Sequence, residues 1–212
     1  QLGPDNGLPG WDRISGYYYP DSTIAGFSHT HLSGTGAGDL YDISYMPVTL
    51  PYREAEAPLG IHSKFRHSDE EASAGYYRVL LKDYNINVEL TATERCGIQR
   101  YTFPKAQSAV FLNLKKAMNW DFTQDSHIEV VDSCTIQGYR FSDGWARGQR
   151  VFFRTRFSKP FRSSEIDTTA IIQDGKTIGT AYVARFNFDT TDGEEIVLCT
   201  ALSGVSMEGA AG

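Results

Sequence analysis

No apolar run in this 212-residue chain approaches the ~20 residues that a membrane-spanning helix needs. Windows with a helical period are also almost absent, which argues against a bundle or an α/β fold. Cysteine is sparse: Cys96, Cys134 and Cys199 are odd in number, widely separated and without metal-ligand spacing. They read as small buried hydrophobes. Positive charge is short as well, with 20 Lys and Arg against 26 Asp and Glu and a net charge of −6. The basic residues between Arg147 and Arg156 alternate with aromatics, as on a strand face, and form no patch for nucleic acid. No leader segment is recognisable. The chain opens on Gln1-Leu2-Gly3-Pro4 without Met, as a processed or excised fragment does, so this lack is silent on compartment.

What is present is ample core material, 41% hydrophobic and 13% aromatic, with an ordinary 22% charged. Residues 1–22 are loop-like, punctuated by Gly3-Pro4, Pro9-Gly10 and Pro20-Asp21. Within them Tyr17-Tyr18-Tyr19 reads as the lid of a core, or as an aromatic platform for a flat ligand. From Leu40 onward the period is two. Strands are predicted over 43–48, 75–81, 86–93, 96–103, 109–114, 128–131, 135–139, 150–157, 169–173, 176–188 and 194–204. Hairpin chemistry stands at Asp174-Gly175 and Asp192-Gly193. Residues 54–74 are the least regular and have room for a short helical turn. Many short strands at this spacing predict an all-β antiparallel β-sandwich, residues 1–212 forming one domain.

The stretch from Gly26 to Asp42 concentrates chemistry: His29, His31, Ser28, Ser33, Thr35, Asp39 and a run of alternating glycines, Gly34, Gly36 and Gly38. Glycines so spaced let a backbone turn sharply and approach another group closely. His29 and His31, two apart, share a face on a strand, as a metal pair, as donors to a ligand or as structural imidazoles. Asp39 and Asp42 are either paired acids for glycoside chemistry or turn caps. The glycine run lacks the Lys and the strand-loop-helix context of a phosphate cradle. Neither serine sits in a nucleophile elbow. Glu89, Glu94 and Arg95 read as a surface ion pair. The chain holds no complete catalytic set.

The block GWDRISGYYYPDSTIAGFSHTHLSGTGAGD resembles the N-terminal domain of family-92 glycoside hydrolases, calcium-dependent exo-acting α-mannosidases. Three further blocks resemble that family in the same order: AGYYRVLLKDYNINVELTATERCGIQRYTFP, GWARGQRVFFRTRFSKPF and ALSGVSMEGAAG. The resemblance implies a galactose-mutarotase or lectin-like supersandwich packed on an (α/α)₆ barrel, with that helical catalytic domain following residue 212. It implies inverting hydrolysis of mannose-containing glycans by a periplasmic or extracellular enzyme. The acid, the base and the calcium ligands belong to the barrel, so neither a catalytic residue nor a metal ligand is expected here. This chain then contributes pocket loops, with Gly34, Thr35, Gly36 and Asp39 lining the sugar site together with Trp11 and His31. The isolated chain is expected to be inactive, its partners being the glycan and its own C-terminal domain. Two rival expectations are a stand-alone carbohydrate-binding module and a purely structural domain whose Gly26–Asp42 loop only docks on the barrel.

Overall fold

Where apolar and polar residues alternate, the chain forms strands and the apolar set turns inward. In β8 (Ile86–Ala92), Ile86 and Val88 are buried, and in β13 (Gln149–Phe157) so are Phe153 and Phe157. The computed structural model describes residues 16–30, 40–52, 54–55, 60–117 and 121–211. Short strands open it: β1 (Thr23–Ile24), β2 (Ser44–Thr49), β3 (Glu54–Ala55), β4 (Gly60–Ile61) and β5 (Ser63–Lys64). There follow β6 (Glu70–Ser73), β7 (Tyr76–Leu81), β8, β9 (Cys96–Phe103) and β10 (Ala106–Asn113). The rest are β11 (Phe122–Asp132), β12 (Thr135–Asp143), β13, β14 (Ser163–Gln173), β15 (Lys176–Thr190) and β16 (Glu194–Ser203).

Two antiparallel sheets carry the fold. The larger has eight strands in the order β11-β12-β13-β16-β9-β8-β7-β6, and the smaller four, β14-β15-β10-β2. Their facing sides share one core, in which Val79, Val88, Tyr101 and Phe153 meet Val110, Leu112, Phe186 and Phe188. A buried hydroxyl relay crosses between them: Tyr45 on β2 meets Thr155 on β13 at 2.6 Å, and Thr155 meets Thr200 on β16 at 2.8 Å. This is the all-β antiparallel sandwich read from the alternation.

Differences lie where inward positions are polar. β11 begins at Phe122 rather than Ile128, because Thr123 and Ser126 point inward and find backbone partners. Thr123 Oγ1 donates to the Leu114 carbonyl at 2.6 Å, and Ser126 Oγ accepts from Tyr182 N–H at 2.9 Å. β14 likewise starts at Ser163, six residues before its predicted start, as an edge strand with both faces largely solvated. Residues 60–73 hold three short strands and a 3₁₀ turn over His67–Asp69. The cysteines depart from expectation: Cys199 is exposed, Cys96 and Cys134 are half-buried, and all three are free thiols. Tyr19 stacks on His67 of the 3₁₀ turn at 4.1 Å and Tyr17 donates to Glu70 on β6, so two of the three tyrosines lie against that turn and strand while remaining exposed.

Candidate functional site

The predicted site residues Trp11, His31, Gly34, Thr35, Gly36 and Asp39 all lie outside the described residues. What the structure describes is the stem on either side of residues 31–39. Phe27 bridges to Tyr45, His29 N–H donates to the Asp42 carbonyl at 3.0 Å, and Tyr41 N–H donates to that of Thr30 at 3.0 Å. The two arms thus run antiparallel, one continuing into β2.

The return arm is strained. Leu40, Tyr41 and Ile43 have φ of 73°, 83° and 54°, a left-handed conformation that is unusual for any side chain and an outlier for a β-branched one. Such backbone persists only where its surroundings over-determine it. Here they do. Asp42, fully buried, accepts from Arg140 Nη1 and from Thr30 Oγ1, both at 2.5 Å, while its own N–H donates back to Thr30 Oγ1 at 3.0 Å. The opposite arm is held as tightly at Gly26, whose φ is 152°. An added Cβ there would stand 2.5 Å from Ser44 Oγ. Asp42 is therefore neither a paired acid nor a simple turn cap.

Arg140 is the largest fully buried side chain among the described residues. Its Nη2 reaches Asp121, and its Nε donates to Thr123 Oγ1 at 2.9 Å. Burial pushes the Asp121 carboxyl above its ordinary value, with Arg140 opposing. A guanidinium can serve two carboxylates in different directions because its donors are fixed in one plane, which an ammonium cannot imitate.

Beside this stem a groove of about 880 Å³ opens at one end of the larger sheet, where β7, β9 and β13 begin and β8 and β16 end. That is within the range of ligand sites. Its wall includes His29 and Thr30 from the stem, Tyr76 and Tyr77 from β7, and Gln99 from β9. Both tyrosine rings are held by their hydroxyls: Tyr76 donates to Glu89 at 2.6 Å and Tyr77 to Glu70 at 2.7 Å. His29 sits over Gly97, where an added Cβ would overlap the imidazole, its Nε2 only 2.8 Å away. His29 Nδ1–H donates to the Ile43 carbonyl at 2.8 Å, leaving Nε2 to face the Gln99 amide at 3.4 Å. Gln99 is in turn held by the Tyr101 hydroxyl. Enclosure lowers the His29 pKa to about 4, so the ring is neutral near pH 7 and serves as a polar, uncharged wall.

Among the described wall residues the one carboxylate is the exposed Glu94. Two carboxylates flanking a bond, as glycoside hydrolysis needs, are not assembled by the described residues. Nor is any group of three or more His, Cys, Asp or Glu among them placed to hold a metal ion. Sequence reasoning missed Tyr76, Tyr77, Gln99 and Arg140. Nothing local marks them; only pairing brings β7 and β9 to the stem. Glu89 pairs not with Arg95 but with Arg100, through two bonds of 2.7 Å.

The geometry defines an antiparallel sandwich with a ligand-sized groove at one end of its larger sheet. The family model "Glycosyl hydrolase family 92 N-terminal domain" matches residues 1–203, and the chain belongs to that family. Among solved structures, a family GH92 α-mannosidase of Bacteroides thetaiotaomicron, determined alone and with mannoimidazole, is 32% identical with a TM-score of 0.82. The match covers 95% of this chain and 28% of that one in the mannoimidazole complex. A family GH92 inverting mannosidase of the same bacterium shares the fold at 24% identity and a TM-score of 0.74, over 93% of this chain and 26% of that one. The gh92 family glycosyl hydrolase ccman5, 25% identical, matches at a TM-score of 0.71, over 93% of this chain and 28% of its own. The chain thus spans under a third of the length of these relatives. Among curated proteins no relative matches it.

Proposed function

We propose that this chain forms one wall of the sugar site of a secreted, inverting exo-α-mannosidase whose acid, base and calcium lie on a following domain. One observation carries the reading. The groove, the stem of the Gly26–Asp42 stretch and the turn at Glu208–Ala210 share one end of the larger sheet, with Gly209 in the groove wall. A domain entered after residue 212 begins beside that groove, so a sugar held between the two would be screened from water. The likeness over 95% of the chain to an α-mannosidase supports mannose as the sugar.

In this reading hydrolysis with inversion needs a carboxylic acid at the leaving oxygen and a carboxylate activating water on the opposite face. The residues of this chain move no proton. Tyr76, Tyr77 and Gln99 shape the cleft and offer hydrogen bonds, and neutral His29 adds a wall without charge. Calcium, when bound beyond this chain, holds sugar hydroxyls. The test is the full-length protein with α-linked oligomannose, with and without a calcium chelator. Mannose released as the β-anomer, and lost on chelation, is the expected result. No release in calcium buffer overturns the substrate assignment, and an isolated chain that binds mannosides alone would point to the binding-module reading.

A further inference from the structure

We propose that Arg140 is a positioning residue: through Asp42 and Thr30 it sets the strained stem that carries the His29–Thr30 wall of the groove. The part of this that concerns catalysis rests on the mannosidase reading above.

Arg140 lies on β12 opposite Val151 of β13 and is fully buried, whereas Thr30 is on the groove wall. Between them stands a single carboxylate. Asp42 Oδ1 takes the guanidinium and Oδ2 takes the Thr30 hydroxyl, so the buried cation and the groove are two hydrogen bonds apart. The next residue, Ile43, is the β-branched outlier at φ 54°, and its carbonyl holds His29 Nδ1. Displacing Asp42 therefore lets two wall residues move together. Holding the shape by apolar packing would not give this control, since dispersion and burial carry little direction, while a charge-assisted bond fixes both distance and angle. The far side of the guanidinium is anchored by Asp121 and Thr123, on β11 and the residue before it, so the stem is referenced to the larger sheet and not to its own loop.

The decisive experiment uses the full-length enzyme with Arg140→Lys, which keeps the charge but cannot span both carboxylates. KM for an α-mannoside is expected to rise at least about tenfold with kcat changed less, as misplacing a positioning wall does. An activity-independent readout accompanies it: the His29 imidazole, followed by NMR, is expected to titrate nearer its ordinary value once the enclosure is lost, since desolvation is the larger influence and the Ile43 carbonyl opposes it. Phe186→Leu, at the opposite end of the core, is the control. It lowers Tm while leaving KM and the His29 signal in place. If Arg140→Lys does not fold, Thr30→Val cuts the same path at nearly constant shape and takes its place, with the same expected shifts.

Unchanged KM and an unshifted His29 titration in a folded Arg140→Lys or Thr30→Val enzyme overturn the proposal. So does an equal KM change in Phe186→Leu. If the wild-type protein releases no mannose, the mannosidase reading falls, and the His29 titration alone decides whether Arg140 positions the wall.

Discussion

Two regions of this molecule are equally dry and differently made. At the end of β13 away from the groove, Phe157, Phe161 and Phe186 pack within 5.1–5.9 Å of one another, with Phe188 5.9 Å from Phe157. Under the groove stem, Arg140, Asp42 and Asp121 are just as buried. The aromatic cluster is favourable on area alone, and many arrangements of similar rings would satisfy it. The charged cluster must first overcome desolvation of three ions, and its attraction repays that only at good geometry. The difference teaches that the molecule holds its shape generally at one end and specifically at the other. Specific geometry is found where the groove is.

The largest effects test that contrast directly. Arg140→Leu leaves two buried carboxylates without a cation and should cost about 3–5 kcal/mol at neutral pH. That deficit should shrink in acid as carboxylates take up protons, which urea unfolding at pH 7 and pH 4 would register. Phe186→Ala should cost a similar ~3–5 kcal/mol by opening a cavity, with no such recovery in acid. The two sites lie toward opposite ends of β13, about 20 Å apart at ~3.3 Å per residue. Their double variant should therefore be additive within about 0.5 kcal/mol. A large coupling would mean the two regions are one.

A smaller effect comes from His29. Its pKa is depressed to about 4 in the folded chain, so between pH 4 and 6.5 the unfolded state binds more protons. Stability should then rise with pH through that window, by about 1–3 kcal/mol, and be flat above it as far as this group is concerned. His29→Gln should flatten the dependence in urea unfolding; an unchanged slope would show the imidazole to be solvated. The smallest effect is expected at the surface. Glu89, half-buried, is held below its ordinary pKa by Arg100 and Tyr76. Its contribution is therefore present above pH 4.5 and lost as pH falls through the lowered value. Glu89→Gln should cost at most about 1 kcal/mol at pH 7 and less at high salt. A cost near that of Arg140→Leu would erase the distinction between surface and buried pairs.

How far the sequence could be read depended on where the polar residues point. β8, β9 and β13 were legible because their apolar residues alternate and face the core. β12 reads the wrong way round. Alternation in Gly138-Tyr139-Arg140-Phe141 suggests aromatics inward and arginine outward, yet Arg140 is fully buried and the two aromatics lie on the outer face. There Tyr139 and Phe141 stack at 4.3 Å, shielded by Phe152 and by Arg150 over the Phe141 ring at 5.2 Å. Of the site, glycines, imidazoles and family likeness singled out the Gly26–Asp42 stretch as a candidate, and its described part supplies Ser28, His29 and Thr30 to the groove wall. The role of Asp42 was not, because its partner is 98 residues away in sequence.

By itself the sequence determined the fold class, through period-two alternation and turn chemistry that operate over a few residues, and the family, through four ordered blocks. Only the tertiary structure decided which way β12 faces, that Tyr76, Tyr77 and Gln99 join His29 at one groove, and that a buried arginine references the stem to the larger sheet. The physical reason is range. Alternation and turn preference are local properties of a chain, whereas the worth of a buried charge is set by partners that only folding brings within hydrogen-bonding distance.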